Sequence, residues 1–212
     1  MKAKSLILAG IVSVAGVFTA AAQTSNTVFS VNAVGFVNKS FNPGFNLGAN
    51  PLVAADNKAT TLFDAAPVGT QIFKFNPSTG GFDSNTKTFL GWTDANMTIV
   101  PGEAYFLKNA GTGAFSITFV GNVNQGNLSN ALVAGFNMVS SQVPQAGLIV
   151  TDLKAPIVSG EQVFVFNGTG YTSYTLTFLG WSPSEPIIDV GQGFFVRKTA
   201  AGSWDRSFSV NN

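Results

Sequence analysis

The sequence predicts an all-β protein made of two tandem, related β-sandwich or barrel units of about 90 residues with pseudo-symmetry. Three observations lead to this prediction: an internal duplication, short strand-like segments rich in aromatic and β-branched residues, and Gly-, Asn-, Asp- and Pro-containing turns between them. The clearest sign of the duplication is the pentapeptide TFLGW, which occurs at Thr88–Trp92 and again at Thr177–Trp181.

Three further blocks repeat in the same order, at offsets of 89 or 91 residues. GFNL at Gly44–Leu47 matches GFNM at Gly135–Met138, GTQIFKFN at Gly69–Asn76 matches GEQVFVFN at Gly160–Asn167, and GEAYFLK at Gly102–Lys108 matches GQGFFVR at Gly191–Arg197. Two copies are too few and too long for a solenoid, so we expect two related β-domains or two halves of one pseudo-symmetric fold.

The repeated segments have the two-residue period of strands. In QIFKFN, Phe73 and Phe75 share one face, whereas Ile72 and Lys74 lie on the other. Only the segments 60–66 and 151–155 suggest a helical turn, each with a Thr positioned to cap it.

The N-terminus resembles a secretory signal peptide. Lys2 and Lys4 precede an apolar run, and small residues at 20–22 suit cleavage near Ala22. A retained membrane anchor is the alternative, but the run is short for a span of about 20 residues, and we expect no membrane span in the mature chain. We therefore predict a signal peptide at 1–22, β-unit 1 at 23–123 and β-unit 2 at 124–212, secreted to the periplasm, cell surface or medium.

The composition excludes several classes of function. The chain has no Cys and no His, which rules out thiol nucleophiles, Ser–His triads and metal sites built on those ligands. Charged residues are 10% of the chain, too few for the basic surface that binds nucleic acid. Among the carboxylates, Glu103 lies in an apolar strand, but its counterpart is Gln192. We therefore expect no enzyme, no catalytic residues, no cofactor and no metal site.

Lys74 and Glu103 are charged in unit 1, whereas their counterparts Val165 and Gln192 are not. An ion pair between neighbouring strands would explain why both charges occur together. An isopeptide bond from Lys74 to an Asn, assisted by Glu103, is the alternative.

Aromatic residues near turns are candidates for stacking on a carbohydrate ring. Trp92 and Trp181 are expected to pack in the core or at a strand corner, with stacking as the alternative. The candidate carbohydrate-stacking residues are Trp92, Trp181, Tyr171, Tyr174 and Trp204, of which Tyr171 has an aromatic counterpart, Phe82, at the same place in unit 1.

The two ends of the predicted mature chain carry the same motif. FSVN occurs at Phe29–Asn32 and at Phe208–Asn211, and the related FVGN lies between them at Phe119–Asn122. We expect a strand shared at the junction of the units and equivalent strands at both termini. The candidate residues for strand exchange between copies are Phe29, Val31, Phe208 and Val210.

Two blocks of unit 1 resemble a family of largely uncharacterised secreted bacterial β-domain proteins. The blocks are GFNLGANPL at Gly44–Leu52 and PGEAYFLK at Pro101–Lys108, which are similar to the patterns G-[FW]-N-L-x-x-N-P and P-G-[EQ]-x-[FY]-F-[VL]. Unit 2 matches more loosely, because it lacks the Asn-Pro of the first block and the Pro of the second. The resemblance implies an exported surface or extracellular protein and brings no catalytic residues.

Together these observations favour a secreted structural or adhesive protein of the cell surface or extracellular matrix. Its expected partners are other copies of itself or other surface proteins. The alternative is a carbohydrate-binding module that uses exposed aromatic residues to bind glycans.

Overall fold

The computed structural model describes residues 33–211, which belong to one compact body that is nearly all β. The predicted signal peptide and the strand-exchange candidates Phe29 and Val31 lie outside the described residues. The predicted fold class is confirmed: two similar units follow each other along the chain, each built from its own sheets. The five-stranded sheet of each unit is open, so the units are sandwich-like.

Unit 1 contains a two-stranded ribbon and a five-stranded sheet. Its elements are β1 (Val34–Phe41), β2 (Gly44–Ala49), α1 (Ala59–Leu62), β3 (Gln71–Asn76), β4 (Gly81–Thr88), β5 (Gly91–Trp92), β6 (Ala104–Asn109) and β7 (Phe115–Asn122). The sheet has the order β2-β6-β3-β4-β5, and β1 pairs with β7 in the ribbon. All of these pairings are antiparallel.

Unit 2 repeats this arrangement and adds a short strand pair. Its elements are β8 (Gly126–Leu132), β9 (Gly135–Ser140), β10 (Gly147–Leu148), β11 (Gln162–Phe166), β12 (Tyr171–Thr177), β13 (Gly180–Ser182), β14 (Ile187–Ile188), β15 (Gly193–Lys198) and β16 (Gly202–Phe208). The sheet order is β9-β15-β11-β12-β13, β8 pairs with β16, and β10 pairs with β14. In unit 1 an isolated bridge between Lys58 and Thr98 takes the place of the extra pair.

The register confirms the equivalence of the two sheets. Gly44 lies opposite Asn109 in β2-β6, and Gly135 lies opposite Lys198 in β9-β15. These pairs differ by the same offsets of 91 and 89 that the sequence blocks show.

Each unit buries a core between its ribbon and one face of its sheet. In unit 1, Phe41 and Phe119 from the ribbon pack in one cluster with Ile72 and Leu107 from the sheet. In unit 2, Trp204 on β16 belongs to the core cluster. The other face of each sheet is also apolar, because Phe73 and Phe75 point away from the core that contains Ile72. The predicted alternation of faces in β3 is therefore confirmed.

The second faces meet in a third apolar cluster that joins the units. Its buried members are Leu47, Ala104, Phe106, Met138 and Phe195. Two equivalent backbone hydrogen bonds connect the units here: the N–H of Ala49 donates to the carbonyl of Gly191 (3.0 Å), and the N–H of Ser140 donates to that of Gly102 (2.9 Å). The pair is related by the offsets of the duplication, so the junction itself is pseudo-symmetric.

Two local predictions are wrong. The first is the Thr cap of a helix, because α1 begins after Lys58 with no side-chain cap. The helical turns themselves are found: α1 covers residues 59–62, and the N–H of Asp152 donates to the carbonyl of Leu148 (2.9 Å) in the turn that leads into residues 151–153. The second is the shared strand: the segment 119–122 belongs to β7, which pairs with β1, whereas β16 pairs with β8. Each unit therefore closes its own first and last strands into a ribbon.

Gly193 is expected to be essential to the junction. A Cβ at this position would lie 2.7 Å from the Cβ of Ala104 and 2.8 Å from the carbonyl oxygen of Gly48. Because neither neighbour is the end of a flexible side chain, Gly193→Ala should lower the free energy of unfolding by about 1–3 kcal/mol, the usual effect of overpacking.

Gly202→Ala is the matched control, because a Cβ there meets no atom within 4 Å. Urea unfolding of both variants measures the difference. Equal stability of the two variants would contradict the close crossing at Gly193.

Candidate binding surfaces

The carboxylates of the described residues mainly stabilise local backbone. The Oε1 of Glu185 accepts hydrogen bonds from the backbone N–H groups of Val150 (2.6 Å) and Thr151 (2.8 Å), and the Oδ1 of Asp94 accepts one from Asn96 (2.8 Å). No group of three or more acidic residues that could hold a metal ion occurs within residues 33–211. These contacts are the turn and loop chemistry typical of Asp and Glu.

The predicted ion pair of unit 1 is confirmed. The Nζ of Lys74 lies 2.9 Å from the Oε2 of Glu103 and also donates to the carbonyl of Thr98 (2.7 Å). The same carboxylate accepts the backbone N–H of Val100 (3.0 Å). Both side chains are partly exposed, so the pair lies at the surface, where the inner strands β3 and β6 meet, rather than in a core.

Unit 2 contains a second ion pair, between Glu161 and Lys198, which the sequence analysis missed. The Nζ of Lys198 lies 2.5 Å from Glu161 Oε2, and their side chains are 7% and 1% exposed. Glu161 also accepts the backbone N–H groups of Thr199 (2.9 Å) and Val158 (3.0 Å). Burial alone would raise the pKa of the Glu161 carboxyl, but the hydrogen bonds from Lys198 and these backbone groups outweigh it and lower the pKa.

A signal for this pair was present in the alignment of the two units. Thr70 is the counterpart of Glu161, and Asn109 is the counterpart of Lys198, so both charges appear together in unit 2. Each unit thus contains one Lys–Glu pair that the other lacks, at a different place in the sheet.

The most distinctive surface of the protein lies between the two sheets, where ten aromatic rings gather. They form five equivalent pairs, all at the offsets of the duplication: Phe45 and Phe136, Phe73 and Phe164, Phe75 and Phe166, Phe82 and Tyr171, and Phe106 and Phe195. Of these rings, only Tyr171 was predicted from the sequence to contact a ligand, with Phe82 as its counterpart, although the other four pairs lie in the matched blocks. The others could have been found because each occupies the same position in both repeats.

The ring contacts follow the same pseudo-symmetry. The centroids of Phe75 and Phe82 are 5.4 Å apart, as are those of Phe166 and Tyr171. Contacts between the units are equally matched: 5.5 Å from Phe75 to Phe195, and 5.4 Å from Phe166 to Phe106. Most of these rings meet edge to face, the arrangement that the charge distribution of aromatic rings favours.

The rings line two apolar clefts with cavity volumes of about 440 and 470 Å³. Cleft A is lined by Phe75, Gly80, Phe82, Phe136, Phe164, Tyr171 and Phe195. Cleft B is lined by Phe45, Phe73, Phe82, Phe106, Phe166, Gly168, Thr169 and Tyr171. In each cleft the sheet of one unit forms the floor and the hairpin of the other unit forms a wall.

The rims of the clefts are accessible to a ligand. Phe45, Phe82, Phe136 and Tyr171 are each nearly half exposed (46–47%). Burial raises the pKa of the Tyr171 phenol, so its hydroxyl stays neutral at physiological pH. No residue that lines either cleft is charged, although Lys108 places its Nζ 5.7 Å from the ring centroid of Phe45. Clefts of this size with uncharged aromatic walls suit an apolar or stacking ligand.

A polar pocket of about 280 Å³ adjoins cleft B, because both are lined by Phe45, Phe166 and Gly168. Its polar lining includes Asn167, Asp189 and Lys39. Burial lowers the pKa of Lys39, and the charge of Asp189 partly opposes this shift. An aromatic floor beside amide and carboxylate groups is an arrangement that sugar rings can use.

The duplicated pentapeptide forms a second pair of surfaces, the two hairpin tips. In each TFLGW, the Thr side chain shapes a two-residue turn: the Oγ1 of Thr88 donates to the carbonyl of Gly91 (2.8 Å) and accepts the N–H of Leu90 (3.1 Å). Thr177 makes the same two bonds in unit 2, to Gly180 (2.7 Å) and from Leu179 (3.2 Å). The glycines have positive φ angles (108° and 113°), which glycine adopts without strain.

The two residues at each tip are almost fully exposed: Phe89 by 89%, Leu90 by 95%, Phe178 by 88% and Leu179 by 86%. An exposed valine lies in the neighbouring turn of each unit, Val68 or Val158. These turns are held beside the tips by backbone hydrogen bonds from Gly69 to Lys87 and from Gly160 to Leu176. Exposed apolar groups at the end of a rigid hairpin mark a contact surface.

The predicted stacking residues lie in different surroundings. Tyr171 lines both clefts, whereas Trp92, Trp181 and Tyr174 are partly buried against the cores of their units. Trp204 is 1% exposed, and its Nε1 donates to the carbonyl of Leu153 (3.1 Å), so stacking on it would require the core to open. The expected packing of Trp92 and Trp181 is confirmed, but the Nε1 of Trp92 has no hydrogen-bond partner.

The strand-exchange candidates Phe208 and Val210 lie at the C-terminal end of the described chain. Phe208 is the last residue of β16 and lies opposite Gly126, and Val210 follows the strand and is partly exposed. Within the described residues, β16 pairs only with β8. None of the helices in residues 33–211 has the length and hydropathy needed to cross a membrane.

Comparison of the chain with protein-family models, curated proteins and solved structures found no match. The resemblance to secreted bacterial β-domain proteins therefore stays a prediction.

The buried pair of unit 2 should make stability depend on acid pH. Because the pKa of Glu161 is lowered in the folded state from its ordinary value of 4.5, its stabilising effect is present above that value and is lost as pH falls through the folded-state pKa. Glu161→Gln should cost about 3–5 kcal/mol at pH 7, since it leaves Lys198 buried without an anion. Its unfolding free energy should then fall less than that of the wild type between pH 6 and pH 3.

Glu103→Gln is the matched control, because it alters the partly exposed pair of unit 1 and introduces the residue that unit 2 has at the same place. We expect a cost of about 0–1 kcal/mol. Denaturant titrations at several pH values compare the variants, and equal costs for both would contradict the structural role assigned to Glu161.

Proposed function

We propose that the chain is a secreted structural or adhesive protein of the cell surface or extracellular matrix, which acts by contact rather than by catalysis. The observation that carries the proposal is the pair of Phe-Leu tips, exposed by 86–95% in both units. Exposed apolar groups are costly in a protein that works alone, and they are typical of contact surfaces. The predicted signal peptide at 1–22 supports export, and the absence of His and Cys supports a function without catalysis.

The low charge of the chain supports assembly. Without Lys2 and Lys4, nine basic residues face ten acidic ones, so copies of the predicted mature chain would repel each other little. Self-assembly through terminal strands is the form of contact we propose. An opening segment that contains Phe29 and Val31 would add to the edge of β16 in another copy, with Phe208 and Val210 beside it.

Deletion of Ser207–Asn212 should abolish polymers of the mature protein and leave the monomer folded. The deletion removes the last two residues of β16 but keeps Trp204 and the core around it. Electron microscopy of the purified mature protein and of the deletion variant, with circular dichroism as the check on folding, measures the effect. Polymers that form equally well without these residues would rule out the terminal strands as the contact.

Carbohydrate binding is the second candidate function. The observation that favours it is the polar pocket that adjoins cleft B, where Asn167 and Asp189 lie next to the rings of Phe45 and Phe166. A glycan could stack on the rings and place its hydroxyl groups against the amide and carboxylate.

Under this second proposal, Phe45→Ala should weaken glycan binding by about tenfold, the effect of losing about 1.4 kcal/mol from an aromatic residue that carries binding. Phe136→Ala is the matched control, because Phe136 is the counterpart of Phe45 in cleft A and is equally exposed. A glycan array identifies a ligand, and titration calorimetry compares the variants. No glycan bound by the wild-type protein, or equal losses in both variants, would count against a site at cleft B.

A further inference from the structure

The tips and the clefts are both apolar surfaces without a partner in the structure, and there are two of each. Residues 33–211 form two Phe-Leu tips and two aromatic clefts, each set related by the duplication. The tips protrude and the clefts are concave, and both are accessible to solvent. They therefore have complementary shapes.

The fold does not explain why the tips are apolar. The turn is made by the hydroxyl of Thr88 or Thr177 and by the positive φ of the following glycine, and the two central side chains make no contribution to it. Polar residues are the usual choice in such turns. Both copies nevertheless have Phe-Leu here, although they differ at buried positions such as Thr70 and Glu161.

The tips cannot reach the clefts of their own chain. Phe82 and Tyr171, which line both clefts, lie near the start of β4 and β12, whereas the tips follow the ends of these strands. Phe82 and Phe89 are seven positions apart along the strand, as are Tyr171 and Phe178, which is about 23 Å at the usual rise per residue. Another molecule must supply the occupant of the clefts.

The charge of the surfaces favours another copy of the chain. No residue lining the clefts is charged, and the segment 171–184 around the second tip contains no charged residue. Docking of the second tip into cleft A therefore desolvates no charge of the tip or of the cleft lining, and desolvated charges are a main cost of an imperfect contact. The first tip follows Lys87, whose Nζ donates to the carbonyl of Asp64. One such contact also covers both kinds of exposed apolar surface at once.

We propose that the Phe-Leu tip of one copy docks into an aromatic cleft of a second copy. The contact deepens the proposed function, because it gives the structural protein a second mode of self-association besides the terminal strands. It joins two different surfaces, so it is heterologous and generates open chains or closed rings.

Two double variants separate the two halves of the contact. The tip variant combines Leu90→Asp with Leu179→Asp, and the cleft variant combines Phe82→Asp with Tyr171→Asp. All four positions are exposed or half exposed, so the fold should tolerate the changes. Val100→Asp with Ile187→Asp is the matched control, because both side chains are exposed and line neither cleft.

Sedimentation velocity of the mature protein measures association. We expect each double variant to weaken self-association by about tenfold or more, since it places an unpaired charge in an apolar contact. The control should behave as the wild type. A mixture of the tip variant with the cleft variant should regain association, because the first retains its clefts and the second retains its tips.

Direct docking is tested with a cyclised hairpin peptide of sequence KTFLGWT, titrated into the tip variant and followed by NMR. Chemical-shift changes confined to the cleft residues support the proposal. The absence of any chemical-shift change overturns it, whether or not the wild-type protein assembles. Wild-type assembly that survives both double variants would overturn the tip–cleft contact and leave the proposed function intact. Monomeric wild-type protein at all concentrations would overturn both proposed modes of self-assembly and leave only adhesion to other molecules. Tip-dependent binding of such monomers to phosphatidylcholine vesicles would assign the tips to a lipid surface instead.

Discussion

The close crossing of backbones where the two units meet is the constraint on which the rest of the structure depends. Gly193 lies against Ala104 and the carbonyl of Gly48, and two equivalent backbone hydrogen bonds hold the strands on either side. Because this contact involves β2, β6, β9 and β15, it brings the outer face of each sheet against the other unit. The aromatic residues of those faces are therefore buried in part and exposed in part, and the two clefts are a consequence of how the units are joined.

The two units differ in where their ion pairs lie and agree in the aromatic residues between their sheets. Each ion pair stabilises one place in one unit: Lys74 and Glu103 form a partly exposed pair in unit 1, whereas Glu161 and Lys198 form a buried pair in unit 2. Each unit lacks the ion pair that the other unit contains. This is tolerated because both charges of a pair are absent together, so that no single charge is left without its partner. The rings at the centre of the junction have less freedom, because they contact rings of both units; these are Phe75, Phe106, Phe166 and Phe195.

A protein with duplicated contact surfaces can bridge partners in a way that a single domain cannot. Under the proposed tip–cleft contact, two tips and two clefts would make each copy at least bivalent, and bivalent contacts raise the overall affinity well above that of one contact. Weak individual contacts would then suffice for a stable assembly. The ion pairs and turn carboxylates stabilise the units. The exposed aromatic and aliphatic surfaces are the ones that we propose contact other molecules.

The sequence by itself determined the β class, the duplication, the strand faces of β3 and the Lys74–Glu103 pair, because local periodicity and matched offsets report directly on neighbouring residues. It did not determine that Trp204 is buried while Phe89 and Leu90 are exposed. Apolar side chains occur both in cores and on surfaces, so residue type alone does not decide which of them are buried. It also did not show that Phe119–Asn122 closes its own unit, or that Glu161 meets Lys198. These features depend on which strands pair when they are far apart in the sequence. That pairing is decided by the packing of the complete fold.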